Sequence, residues 1–519
     1  MFIPTNLIDY LINAEKNNSN KVAIVSDNKK YTYSYLHETS NRIANALIGL
    51  GLERGDRIIL CLNNRIETII LFWAILKANA IVSIINPKIS TQKLGYIIKD
   101  SSAKFIFIQD DLLLLDENKK LVCHPNQIIL VNDEMNQNNL LTYQQLARHD
   151  KHNDPIRLTL DIDLATIVYT SGSTGVPKGV MLTHRNMIAA SASINTYLKL
   201  YSSDIIISAL PLSFDYGLYQ MILTILNGAT LLLEQDFTWP IQFIKRISEE
   251  KATIFPGVPM IFSVLSNHLS RVTYELNSIR SVTNTGAALL QKHINIIEKL
   301  FPNAQIFSMY GLTECKRCTY LPPDDIHRKT NSVGIAIPNT EMWIVDEHEN
   351  KLSSGLVGQL VIRGATVMQG YWNKPVETHK TLKNGILPNE KILYTGDYGY
   401  LDEEGYFYYQ GRMDETIKRY GEKVSLKEIE NTIYLLPEVN EVAVIALPDE
   451  TFGSDIIIFV ESIHPHDKVT DIIVKHCKST LPKTHWPKQV LLLSEIPRNI
   501  NGKFDKVALS NQMLELKVV

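Results

Sequence analysis

Short apolar runs bounded by polar residues recur along the first part of the chain: "KVAIVS", "RIILCL", "AIVSII", "KFIFIQ" and "QIILV". Each has the length and β-branched content of a buried strand. Between them lie stretches such as "YSYLHETSNRIANALIGLG", whose apolar residues return every three or four positions and predict a helix. The alternation continues through "DIIISALPL", "ATLLLE", "ATIFPGVP" and "SVTNTG". Strands interleaved with helices predict an α/β protein with largely parallel sheets. After about Ser332 the texture changes. "EMWIVDEHENKLSSGLVGQLVIRG" and "GYLDEEGYFYYQGR" read as short strands and turns, hence a small β-rich subdomain. From Asp414 onward a compact α/β piece of roughly a hundred residues follows. "EVAVIALPD" and "SDIIIFVES" are its expected strands, "SLKEIENTIYLL" and "VTDIIVKHCKSTL" its expected helices. The expected organisation is a large N-terminal region, residues 1–412, and a small C-terminal domain, residues 413–519.

The most apolar window, "IETIILFWAILKANAIVSII" from Ile66, contains Glu67 and Lys77 and breaks at Asn79. It predicts a buried helix running into a strand, and no integral membrane segment. A length of 519 residues is more than one core of ordinary size accommodates, which fits two domains. A formal net charge of −3 argues against nucleic acid or an anionic membrane as partner. The first residues show no basic stretch leading into an apolar one, so no signal peptide is expected. Five cysteines, an odd and sparse count, suggest a reducing compartment and a cytoplasmic location. Cys315 and Cys318 form a CxxC, but neither a second pair nor a nearby histidine completes a tetrahedral zinc site.

One stretch does not follow from the alternation: "VYTSGSTGVPKGVMLTH", Val168 to His184, set between a buried strand and an apolar helix start. Successive Gly, Ser and Thr residues let the backbone turn its N–H groups toward one centre, which makes an anion nest. Thr170, Ser171, Ser173 and Thr174 add hydroxyl donors around Gly172 and Gly175, and Lys178 adds positive charge. Phosphate is the expected guest. A P-loop is excluded, because Pro177 stands where its second glycine must be and Gly179 follows the lysine in place of Ser or Thr.

"YTSGSTGVPKGVMLTH" resembles the AMP-binding signature of the adenylate-forming superfamily of acyl-CoA synthetases, peptide-synthetase adenylation domains and luciferases. "YTYSYLHETSNRIANALIGLGLERGDRIILCLNN" is similar to the family's opening segment. "FPGVPMIFSVL", "TNTGAALL", "YGLTEC", "GATVMQGYWNKPVET", "YTGDYGYLDEEGYFYYQGRMDETIK" and "PRNINGKFDK" then follow in the family's order. The resemblance implies a large N-terminal region, a small C-terminal domain that swings, and a reaction in two steps. A carboxylate attacks the α-phosphate of ATP to give an acyl-adenylate and pyrophosphate, and a thiol then displaces AMP. Bringing an anion up to a polyanion calls for positive charge and donors aimed at the developing pentavalent phosphorus.

By the same resemblance, Glu314 holds Mg²⁺ on the phosphates, and Thr313 and Thr170 offer hydroxyls to phosphate or metal. Tyr310 and Gly311, with Gly286, Ala287 and Ala288, border the adenine and the acyl pocket. Asp397 accepts from the ribose hydroxyls, and Arg412 contacts the nucleotide beside the hinge residue Asp414. Lys503 reaches the α-phosphate and carboxylate in the first pose, whereas Gly421 and Lys418 face the thiol arm in the second. The implied cofactors are ATP, Mg²⁺ and CoA or a phosphopantetheine carrier, and the implied partners are a small carboxylic acid and CoA or an acyl or peptidyl carrier protein.

Three places depart from the commonest pattern. Asn79 stands where glycine is usual, a scaffold detail. Cys315 and a basic pair follow Glu314. Phe214-Asp215 replaces the aromatic-His pair of many fatty-acyl and aryl ligases. An Asp there resembles the one that pairs with a substrate α-amino group in amino-acid-activating relatives, or it caps the helix "YGLYQMILTIL". The leading expectation is an acid–thiol ligase acting on an acyl-type acid. The alternatives are a stand-alone ligase that loads a carrier protein, and a non-catalytic nucleotide-binding descendant.

Overall fold

The computed structural model describes residues 3–109, 122–132, 140–171, 176–269, 274–413, 416–419, 422–449, 453–462, 468–498 and 504–518. The chain divides into two compact units, residues 1–342 with 362–394 and residues 343–361 with 395–519. It passes between them within strands Thr340–Val345, Gly358–Gly364 and Lys391–Leu401.

Two sheets build the larger unit. In the nine-stranded sheet, six strands run parallel in the order Val22–Ser26, Thr230–Leu233, Ile205–Ser208, Ile254–Gly257, Ser281–Asn284 and Gln305–Tyr310. Antiparallel strands close its edges, among them Thr319–Leu321 on Gln305–Tyr310. The eight-stranded sheet has a parallel core that includes Ile81–Ile85, Arg57–Cys61, Phe105–Ile108 and Ile128–Leu130. Every strand expected in this part from its apolar run is present, and the fold is the expected mixed α/β.

Helix Ile66–Lys77 buries every residue except Glu67 and leads into strand Ile81–Ile85, as the apolar window predicts. A helix apolar on all sides belongs in a core, and each Leu- or Ile-sized side chain it buries contributes about 1.5–3 kcal/mol. Among the described residues no helix is long and apolar enough to cross a membrane. Asn79 terminates this helix with φ 63°, a left-handed conformation that asparagine tolerates better than most residues. Its side chain accepts from the backbone N–H of Leu158 at 2.7 Å and donates to the Ile156 carbonyl at 2.9 Å, holding that segment in place.

The smaller unit contains part of a five-stranded sheet, in which Phe407–Arg412 pairs antiparallel with Lys391–Leu401, and a hairpin of Thr416–Arg419 and Glu422–Ser425. Its three-stranded sheet joins Val439–Asp449, Gly453–Ser462 and Gln489–Leu492. Alternate residues of the first two strands serve two cores. Val442, Val444, Ile456 and Ile458 meet helices Leu426–Ile433 and Val469–Thr480. Ala443, Ile445, Ile457 and Phe459 meet Leu509 and Met513 of helix Lys506–Val518. Period-two alternation with apolar residues at both phases is what a sheet covered on both faces requires.

Candidate functional site

The stretch after the Gly/Ser/Thr loop is a strand, not the start of a helix. Pro177–Thr183 pairs antiparallel with Leu164–Ser171, with Thr170 opposite Lys178 and Ser171 opposite Pro177. The cross-strand register decides it, since burial does not alternate along it: Gly179, Val180 and Leu182 are buried whereas Lys178 and Met181 are only partly so. Gly179 admits the fit, since a Cβ there would lie 2.6 Å from the Ile167 side chain. The helix begins only at His184, with the Thr183 hydroxyl accepting from the Asn186 N–H. Residues Gly172, Ser173, Thr174 and Gly175 lie outside the described residues, as does the side chain of Ser171. The hairpin arms fix where that loop must start and end. The Thr170 hydroxyl lies 3.5 Å from the Lys178 carbonyl oxygen.

Lys178 and Glu314, far apart in sequence, meet at one ring. The Lys178 ammonium sits 5.4 Å from the centre of the Tyr371 ring. The Tyr371 hydroxyl donates to Glu314 Oε1 at 2.7 Å. Strand Gly370–Tyr371 pairs with the loop's own hairpin, Tyr371 opposite Val180, and the Met368 N–H donates to the Glu314 carbonyl at 2.7 Å. Sequence reasoning passed over Tyr371, although it lies in the "MQGYW" segment; an aromatic with a polar tip between two glycine-containing motifs is the signal that marks it.

The turn carrying Tyr310, Gly311, Thr313 and Glu314 is tight for a stated reason. The Lys316 and Cys315 N–H groups both donate to the Leu312 carbonyl, and the Cys318 N–H returns to Tyr310. A Cβ on Gly311 would lie 2.0 Å from the Lys316 carbonyl oxygen, so only glycine fits. Lys316 itself has φ 68°, an unusual conformation for a non-glycine residue. Cys315 and Cys318 are both buried, with their sulfurs 2.8 Å apart. Burial pushes the Cys315 thiol well above its ordinary range, so it is a poor nucleophile.

The residues assigned to the acid adjoin that turn through Asp215 and Lys316. Gly286, with Ala287 and Ala288, is exposed, and the Phe214 ring lies 3.4 Å from where a Gly286 Cβ would sit. The Asn284 side chain donates to the Ala287 carbonyl at 3.0 Å. Asp215 is the first residue of helix Asp215–Asn227, and the cap position, Phe214, makes no side-chain cap bond. The capping expectation is therefore corrected. The Asp215 carboxylate instead receives the Lys316 ammonium at 2.6 Å, the two side chains being 6% and 0% exposed. Two of the departures read separately in the sequence are thus one buried ion pair.

In the smaller unit Asp397 and Arg412 are cross-strand partners. The Asp397 carboxylate is buried and stands 3.7 Å from the Arg412 guanidinium, which is about half exposed. Lys418 lies on strand Thr416–Arg419 opposite Lys423. Asp414, Gly421 and Lys503 lie outside the described residues.

The AMP-binding enzyme family model matches residues 12–372, and the model of the AMP-binding enzyme C-terminal domain matches residues 428–503. 4-Coumarate–CoA ligase 1 of Petroselinum crispum is 30% identical over 484 residues, 91% of this chain and 87% of that one. Long-chain-fatty-acid–CoA ligase of Bacillus subtilis (strain 168) is 28% identical over 512 residues, 93% of this chain and 90% of that one. Among solved structures, ATP-bound MatB from Rhodopseudomonas palustris is 25% identical with a TM-score of 0.85, covering 98% of this chain and 99% of that one. With the first family model spanning more than half of the sequence, the chain belongs to the AMP-binding enzyme family, the adenylate-forming superfamily whose motifs it carries in order.

Proposed function

We propose that the protein is an AMP-forming ligase that joins an acyl-type carboxylic acid to CoA. In the first step a carboxylate oxygen attacks the α-phosphorus of ATP, the bond to the bridging oxygen breaks and pyrophosphate leaves. In the second, the CoA sulfur attacks the acyl carbon and AMP leaves with the bonding pair. The convergence of Lys178 and Glu314 on Tyr371 carries this reading, because it joins a phosphate-loop cation to a carboxylate suited to a metal. Glu314 keeps one oxygen on the Tyr371 hydroxyl, and among the described residues no cation pairs with it. It therefore has lone pairs to offer Mg²⁺, which takes one or two carboxylates together with phosphate oxygens and would screen their charge. The CoA relatives named above support the acceptor and the acyl substrate.

The remaining roles are proposed on the family motifs. Thr170 to Gly175 cradle phosphate, and Tyr310, Gly311 and Gly286 to Ala288 frame the adenine. Asp397 takes the ribose hydroxyls, with Arg412 beside it. Lys503 brings its charge to the α-phosphate and the attacking carboxylate, Asp414 is the hinge, and Lys418 and Gly421 serve the thiol arm. The boundary between 412 and 413 separates the two functional parts. In this reading the sparse cysteines favour a cytoplasmic location.

ATP–pyrophosphate exchange screened over fatty, aryl and amino acids, followed by CoA thioester formation, tests the proposal. Exchange that no acid stimulates would count against it. Tyr371→Phe removes a hydrogen bond to a charged acceptor, worth about 1.5–3 kcal/mol. Acid-dependent exchange, measured well below the melting transition, is expected to fall about tenfold to a hundredfold. Unaltered exchange would remove Tyr371 and its hold on Glu314 from the mechanism.

A further inference from the structure

Among the described residues, Arg317 is the one buried guanidinium near the residues assigned to the acid, and its charge has no counterpart there. It is 5% exposed, and its Nε is enclosed without a hydrogen-bond acceptor. Among the described residues no carboxylate pairs with it. The neighbouring Asp215 carboxylate is engaged by Lys316, and that of Glu314 accepts from Tyr371. The guanidinium instead lies 4.7 Å over the ring of Tyr216, whose hydroxyl is 2.6 Å from the Thr283 hydroxyl.

The cluster Asp215, Lys316 and Arg317 carries two positive charges and one negative. Attraction to a single ring face offsets only part of the cost of burying a guanidinium. A fork of donors in a fixed plane is, on the other hand, the group best matched to a carboxylate. Its place is equally specific. Tyr216 follows Phe214 and Asp215, and the Arg317 Cα stands 3.0 Å from where a Gly311 Cβ would be. Both flanks belong to the segments assigned to the acid.

We propose that Arg317 receives a second carboxylate on the acid, so that the substrate is a dicarboxylic acid activated at its other end. The inference rests on the ligase reading above and adds to it the class of acid. The pairing of Asp215 with Lys316 has a complementary effect: it leaves no free carboxylate there for a substrate ammonium, which disfavours amino acids.

Exchange kinetics on matched pairs test this, with succinate, glutarate and adipate each set against the monocarboxylic acid of equal carbon number, and 4-carboxycinnamate against cinnamate. The wild type is expected to favour the best dicarboxylate over its partner by at least a hundredfold in kcat/KM. Arg317→Met should abolish that preference and keep or raise activity with the monocarboxylic acid, while Arg317→Lys keeps part of the preference. Without ligand, Arg317→Met should also melt higher than wild type, because an unpaired buried charge is gone. Preference for methyl-terminated acids, or a dicarboxylate preference that Arg317→Met leaves intact, overturns the assignment. If no acid of either kind supports exchange, the ligase reading itself fails. The comparison of melting temperatures then decides Arg317 separately: a variant that melts lower marks the arginine as structural and overturns the inference.

Discussion

Two lysines are enclosed in the larger unit at different ends of its function, and their partners differ. Lys316, in the turn after Glu314, puts its ammonium 2.6 Å from a buried carboxylate. Lys77, at the end of the buried helix Ile66–Lys77, meets only neutral groups. Its ammonium reaches the Asn41 side-chain oxygen at 2.7 Å, the His37 carbonyl at 3.1 Å and His37 Nδ1 at 3.2 Å. Burial lowers the Lys77 pKa to about 7, with Asp154 and Glu15 opposing the shift from a distance. The contrast shows what holds a charge inside a protein. Neutral oxygens satisfy the hydrogen bonds of an ammonium yet leave its desolvation largely uncompensated, whereas a carboxylate in contact supplies the Coulombic attraction as well.

Breaking the paired end is expected to cost the most. Lys316→Ala strands the Asp215 carboxylate in the interior, a loss of about 3–5 kcal/mol measured by urea unfolding. Replacing both partners, as Asp215→Leu with Lys316→Met, should return most of that stability, since an apolar pair of similar volume avoids the desolvation penalty. A single variant that loses less than about 1 kcal/mol, the range of an exposed pair, would show that the two side chains are not the mutual partners described. The left-handed backbone at Lys316 gives the experiment a second arm. Lys316→Gly relieves that strain while deleting the charge, so it should be less damaging than the alanine variant.

How far this contrast was legible in the sequence depends on distance along the chain. The strands were legible because runs such as "RIILCL" and "AIVSII" have strand length and composition, and the helix at Ile66 because nearly all of its positions are apolar. The strand Pro177–Thr183 was not, since a Gly-rich loop followed by apolar residues suits a helix start equally well until its cross-strand partner is known. Asp215 and the basic pair after Glu314 each stood out as departures. Their union spans 101 positions, and no local period encodes it. Tyr371 was hidden for the same reason: its importance lies in Lys178 and Glu314, neither of which is near it in the chain. The positions of Lys503, Gly421 and Asp414 rest on motif order alone.

The smallest expected effect probes the unpaired end, and its sign follows from proton binding. The unfolded chain holds the Lys77 proton up to the ordinary lysine value of 10.5, while the folded protein releases it at about 7. Below about pH 7 both states carry the proton and the burial penalty is constant. Between these values the unfolded state binds more protons, so stability from this group rises with pH, by at most about 1.4 kcal/mol per unit. Other groups titrate in the same window, so the informative quantity is a difference. Wild type and Lys77→Met, a swap of similar length, are compared by thermal unfolding from pH 6.5 to 9. At the acid end the methionine variant should be the more stable, and its advantage should shrink steadily as the pH rises. His37, which touches the ammonium and lies 3.3 Å from Asp154, is a separate titrating neighbour, and burial lowers its own pKa. The Lys77 charge contributes to that lowering, so the comparison is made with His37→Gln in both proteins, which leaves the difference curve to Lys77. A stability difference that stays flat with pH would mean that Lys77 keeps its proton in the folded state, and neutral oxygens would then be as adequate a partner as the carboxylate of Asp215.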